Sequence, residues 1–294
     1  MVGFAIRLLR RATRSLGVAF GGRLPDIAVT TLDAGGRLAR LYQPLGSEAY
    51  PPVLFFHGGG YVSCDLDTHD SLCRQLAMAS GLRFVSVDYR LAPEHPAPAQ
   101  LDDALAACRW ALAEPAALGG NSASIAVAGD SAGAYLAARC CAVLNGARRP
   151  VVAQLLLYPF LQMEPGQWSK PAFHPARAVG RVAAGSIRGH LGTDGYPPIL
   201  SFDLTAMPPT VLVSGRALDP IRADAAAFAE QLRRTGTPLV HTEYPTLIHG
   251  AFSVSGLSRR WERAAVEAGL ALRSLVTADG AALNESRAQR KTSC

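Results

Sequence analysis

The chain has 294 residues, 49% of them hydrophobic and 18% charged, a balance that fits a globular protein with an ample core and excludes a disordered or fibrous one. The net charge of +6 comes almost entirely from arginine, since the only lysines are Lys170 and Lys291. Outside the N-terminus the basic residues form no cluster, so they read as solvated surface and no nucleic-acid partner is expected.

Residues 1–22 open the chain with a basic amphipathic helix that ends at Gly21-Gly22. Ala5, Leu8, Leu9, Ala12, Leu16 and Phe20 recur at helical spacing, with arginines between them. A cap helix packed by its apolar face is the expectation, and an interfacial membrane anchor is the alternative. Asp26–Asp33 and Arg37–Gln43 flank Ala34-Gly35-Gly36 as a β-hairpin. Strands then alternate with helices. Pro52–Phe56, Phe84–Tyr89, Ile125–Ala128, Val151–Tyr158, Thr210–Ser214 and Leu239–Tyr244 read as strands, and Thr68–Ser80, Ala99–Leu112, Ala132–Leu144, Ala223–Arg234 and Arg259–Leu275 as helices. Thr68 or Asp67 is the expected cap of the first of these helices.

Pro159–Pro208 breaks this rhythm and is too long for a plain connection, so residues 159–208 read as an inserted cap region. Residues 278–294 are polar and unpatterned, and are expected to form a disordered tail. The remainder, 23–277, is expected to form one α/β domain: a mainly parallel sheet of about eight strands covered by helices on both faces.

Four motifs follow the C-terminal ends of predicted strands, the rim where such sheets bind ligands. Gly129-Asp130-Ser131-Ala132-Gly133 stands between a strand and a helix, the setting of a nucleophile elbow. A serine hydroxyl needs a base; His249 in Leu-Ile-His-Gly is the candidate, with Gly250 freeing its loop. The histidine needs a carboxylate to orient it; Asp219 in Ala-Leu-Asp-Pro is preferred, and Asp224 is the rival. The order Ser131, Asp219, His249 is that of α/β-hydrolases. The glycine run Gly58, Gly59 and Gly60 lets backbone N–H groups approach an oxyanion, with Gly59, Gly60 and the N–H of Ala132 as the main donors.

Together, His57-Gly58-Gly59-Gly60-Tyr61, the run Asp88–Pro96 (DYRLAPEHP), the Ser131 motif, Leu218-Asp219-Pro220 and His249-Gly250 resemble the hormone-sensitive-lipase-like family of bacterial carboxylesterases. The resemblance spans about residues 25–275. It implies the α/β-hydrolase fold, a triad of Ser131, Asp219 and His249, an oxyanion hole from the glycine motif and Ala132, no cofactor and no metal. It also implies that Asp88, Tyr89, Arg90 and Glu94 form a buried charged network that is structural. Two features depart from the family pattern: Ala134 stands where a second glycine is usual, and the N-terminal cap is short.

The six cysteines show no Cys-x-x-Cys spacing, and buried free thiols in a reducing cytoplasm are the expectation. No apolar run reaches the roughly 20 residues of a membrane span. The expected activity is hydrolysis of short- to medium-chain acyl esters through an acyl-serine intermediate. An amidase or deacetylase with the same triad, or a non-catalytic receptor on the same fold, stays open, as does a homodimer.

Overall fold

The computed structural model describes residues 2–120, 122–146, 148–162, 196–216 and 218–291, with the backbone alone for 2–3 and 278–291. Its strands are β1 (Ala28–Asp33), β2 (Leu38–Gln43), β3 (Val53–Phe56), β4 (Phe84–Val87), β5 (Ile125–Asp130), β6 (Val151–Leu157), β7 (Thr210–Gly215) and β8 (Leu239–Tyr244). Its helices are α1 (Val2–Phe20), α2 (Asp70–Ser80), α3 (Ala99–Ala113), α4 (Ala132–Leu144), α5 (Arg222–Arg234) and α6 (Arg259–Lys291).

The strands form one sheet in the order β1-β2-β4-β3-β5-β6-β7-β8. β1, β2 and β4 pair antiparallel, and every pairing from β4 through β3 to β8 is parallel. Every residue of β3 to β7 is buried, which explains their continuous apolar runs: a parallel sheet covered on both faces has no solvent side. Side chains alternate between two cores. Leu54, Phe56, Val85, Val127 and Leu156 meet α3, α4 and α5 on one face. Val53, Phe55, Phe84, Ala128 and Leu155 meet α2 and α6 on the other.

Three elements differ from the sequence reading. α2 starts at Asp70, because Thr68 and Asp65 are used in closing the preceding turn: Asp65 Oδ1 accepts the N–H groups of Asp67 and Thr68. α6 runs past Leu275 to Lys291, into the segment expected to be disordered; its Ala, Leu, Glu, Arg and Gln residues are strong helix formers and outnumber Asp279, Gly280, Asn284 and Ser286.

The third difference is α1. Ala5, Leu8, Leu9, Ala12, Leu16 and Phe20, the expected packing face, are all exposed. α1 docks by another edge, where Ile6 and Gly17 are buried. A Cβ at Gly17 would lie 2.9 Å from Thr68 Cα, so the helix approaches the chain too closely for any other residue. Arg10 donates to the carbonyls of Val62 and Ala92 and grips Glu94 with both guanidinium nitrogens, at 2.9 and 2.7 Å. Arg14 pairs with Asp67. Charge-assisted bonds to fixed carbonyls and carboxylates thus decide the orientation, and the apolar stripe faces away.

Of the inserted region, residues 163–195 lie outside the described residues. Tyr196, just after them, packs against Tyr61 and Tyr135 with ring centroids 4.9 and 5.2 Å away. Its hydroxyl donates to Gln100 Oε1 at 2.8 Å.

Candidate active site

β5 ends at Asp130 and α4 begins at Ala132, so Ser131 alone makes the turn between strand and helix. Its φ of 50° and ψ of −116° are strained for a residue with a side chain. Turn glycines on either side make the geometry possible. A Cβ at Gly129 would strike the Gly133 backbone, and one at Gly133 would strike the Phe56 carbonyl. Ala134, where the family pattern has glycine, is fully buried in α4.

Ser131 Oγ lies 2.8 Å from His249 Nε2. His249 follows β8 and is aimed by Gly250, whose φ is 77°. Its Nδ1 stands 3.3 Å from Asp219 Oδ1, a long contact off hydrogen-bond geometry of the kind resting catalytic sites often show. Burial opposes a charge on this ring, but the negative charge of the nearby Asp219 carboxylate outweighs it and holds the pKa above the ordinary histidine value. Asp219 itself is buried and accepts the Ile221 N–H at 3.1 Å, so its carboxylate is held by the first turn after β7. The ring of Tyr158, at the end of β6, lies 5.0 Å from that of His249.

Asp224, the rival acid, is also buried, but its Oδ2 is engaged by the N–H groups of Leu161 and Gln162 at 2.8 and 2.9 Å. Burial pushes its pKa up to about 6, and its Oδ1 has no hydrogen-bond partner among the described residues. It anchors the chain that leaves β6; Asp219 is the carboxylate that faces the imidazole.

The glycine loop follows β3. Gly58 departs from the expected oxyanion set: its N–H donates to Asp130 Oδ1 at 2.7 Å and so is already used. The N–H groups of Gly59, Gly60 and Ala132 have no acceptor among the described residues. Gly59 and Gly60 take φ of 105° and 63°, conformations that favour glycine, and a Cβ at Gly59 would strike the Ser63 carbonyl.

Beneath this loop lies a buried cluster that sequence reasoning missed. His69 Nε2 sits 3.1 Å from Asp130 Oδ1. Burial disfavours the Asp130 carboxylate, yet His69 and the Gly58 N–H overcome this and hold its pKa below the ordinary value. His57 stacks on Tyr89 with centroids 4.3 Å apart, and the Tyr89 hydroxyl donates to the His57 carbonyl at 2.6 Å. Burial drives the His57 pKa down to about 4, so it is neutral at physiological pH. Asp130 was visible inside the serine motif; His69, in a helix-entry turn, carried no local signal.

The run Asp88–Pro96 does not form one buried network. Tyr89 is buried against His57, while Glu94 is exposed and serves α1 through Arg10. Arg90 pairs with Asp103 of α3 at 2.7 Å, at the edge of the fold.

A mainly parallel sheet of this order, with a serine elbow, a histidine and a carboxylate on its C-terminal rim, defines an α/β-hydrolase. A profile of the α/β-hydrolase fold family matches residues 53–253, and the chain belongs to that family, in its hormone-sensitive-lipase-like branch of carboxylesterases. It is similar to esterase LipI of Mycobacterium tuberculosis, 38% identical over 252 residues that make up 80% of this chain and 77% of that one. It is also similar to carboxylesterase NlhH of Mycobacterium tuberculosis, 37% identical over 224 residues, 71% of this chain and 69% of that one. Among solved structures, the hyperthermophilic esterase of the archaeon Pyrobaculum calidifontis superposes with a TM-score of 0.80 at 28% identity, covering 92% of this chain and 93% of that one. EstE1, a thermostable carboxylesterase cloned from a metagenomic library, superposes with a TM-score of 0.81 at 28% identity, covering 94% and 98%.

Proposed function

We propose that this protein is a serine carboxylesterase that hydrolyses short- to medium-chain acyl esters, with Ser131 as nucleophile, His249 as general base and Asp219 as its orienting acid. The observation that carries the reading is the 2.8 Å approach of Ser131 Oγ to His249 Nε2 at a strained elbow. His249 takes the hydroxyl proton as Ser131 attacks the acyl carbon. The N–H groups of Gly59, Gly60 and Ala132 stabilise the oxyanion of the tetrahedral intermediate. His249 then returns the proton to the departing alcohol, leaving an acyl-serine, and activates the water that cleaves it. Asp219 stabilises the imidazolium in both half-reactions.

A cytoplasmic location is part of the same reading. Its support is that Cys64, Cys73, Cys108, Cys140 and Cys141 are all unpaired. No helix among the described residues is long and apolar enough to cross a membrane. A homodimer is supported by β8, whose outer edge is unpaired among the described residues.

The test is a panel of nitrophenyl esters and nitroanilides of increasing acyl length with wild type and Ser131→Ala, together with labelling by a fluorophosphonate probe. The expected result is ester turnover that peaks at short to medium chains, with both turnover and labelling lost in the variant. Faster cleavage of anilides than esters would make the protein an amidase, and labelling that persists in the variant would place the nucleophile elsewhere.

A further inference from the structure

α1 touches the body of the protein by one edge and presents another to solvent. The docked edge is Ile6, Arg10, Gly17 and the Arg14–Asp67 pair. Counting 100° per residue around the helix, Phe4, Leu8, Leu16, Leu9 and Phe20 fall within an arc of about 160° that points elsewhere. These five side chains are between 43% and 68% exposed and share one stripe, a contiguous apolar patch of the kind that on a protein surface often marks an interaction site. Arg7 and Arg11 border the stripe; both are exposed and form no ion pair among the described residues. The first twenty residues contain no acidic side chain.

We propose that this face of α1 seats the protein on the surface of an anionic lipid bilayer. An apolar arc edged by arginines is the pattern of helices that lie in the headgroup region with leucine and phenylalanine side chains below and guanidinium groups at the level of the phosphates. Charge singles out this occupant. Two copies packed by this stripe would gather four arginines, Arg7 and Arg11 of each, at one interface with no acid on either helix to offset them. An anionic bilayer supplies both the apolar layer and the negative charge. The docked edge makes the helix a rigid attachment, because Arg10 ties it to Val62, Ala92 and Glu94. One helix of this size gives reversible, peripheral binding rather than insertion across the membrane.

The test is co-sedimentation of the full-length protein with vesicles of phosphatidylcholine alone and with about a third phosphatidylglycerol added, at low and high salt. Wild type is expected to bind the anionic vesicles, to bind the neutral ones roughly tenfold or more weakly, and to lose binding as salt rises. Leu8→Glu/Leu16→Glu is expected to lower partitioning by roughly tenfold or more, with Tm and kcat/KM on a soluble nitrophenyl ester unchanged. Failure of wild type to bind anionic vesicles, or equal binding by the double variant, overturns the proposal. A marked fall in Tm of the double variant also overturns it, since the stripe would then be packed inside the molecule. So does a dimer of the wild type, by light scattering, that the double variant converts to monomer. Vesicle binding is read without turnover, so this result stands apart from the catalytic assignment.

Discussion

The Asp130 carboxylate accepts the Gly58 N–H at 2.7 Å, so the residue before Ser131 also holds the first glycine of the loop after β3. Ser131 and the glycine loop proposed to hold the oxyanion are thereby tied together through one buried side chain. Asp130→Ala leaves the Gly58 N–H and His69 without this partner. We expect kcat on nitrophenyl acetate to fall by about 10²-fold with a smaller change in KM, the size of effect seen when an oxyanion donor is lost. Stability to urea should fall by about 1–3 kcal/mol. Unchanged kcat would show that the loop keeps its shape without Asp130.

The two buried acids near His249 should separate cleanly. Asp219→Asn removes the charge that faces Nδ1 and should lower kcat by about 10⁴-fold. Asp224→Asn keeps an oxygen for the Leu161 and Gln162 N–H groups and should lower kcat by less than about tenfold. Steady-state kinetics of the two variants decide it; the reverse order would make Asp224 the acid of the triad.

The pH profile should carry the mark of the raised His249 pKa. Only the neutral ring accepts the serine proton, so kcat/KM should be full at high pH and should fall as pH drops through the histidine pKa. Because that pKa is raised, the midpoint should lie above the ordinary value of about 6.5. In Asp219→Asn the residual activity should show a lower midpoint. A profile flat from pH 5 to 8 on folded enzyme is incompatible with His249 as base.

Gly133→Ala places a Cβ against the Phe56 carbonyl at the crossing of α4 and β3. Backbone cannot yield there as a side chain would, so the substitution should destabilise the fold by about 3 kcal/mol or more. Differential scanning calorimetry should show a lower Tm, and activity should fall with it. Ala134→Gly, one residue on, should change Tm only slightly and leave the elbow active.

Local chemistry determined much of this protein. Alternation of short apolar runs with helical patterns specified a parallel sheet, because only strands buried on both faces are apolar throughout. The elbow was legible because its two glycines are forced by contacts within a few residues of Ser131 and by one neighbouring strand. Asp219 and His249 could be chosen because each follows a strand end, and strand ends of a parallel sheet share one rim. What only the tertiary structure decided are the matters set by partners distant in the chain. Asp219 and Asp224 differ because one faces the imidazole while the other is taken by the N–H groups of Leu161 and Gln162. Gly58 differs from Gly59 and Gly60 because Asp130, far along the chain, occupies its N–H. The orientation of α1 shows the limit most plainly. Its apolar period identified a helix and a stripe, but the docked edge was chosen by Arg10 meeting Glu94 and two carbonyls and by Gly17 fitting over Thr68. Periodicity states which side chains share a face; which face is buried depends on surfaces assembled from elsewhere in the chain.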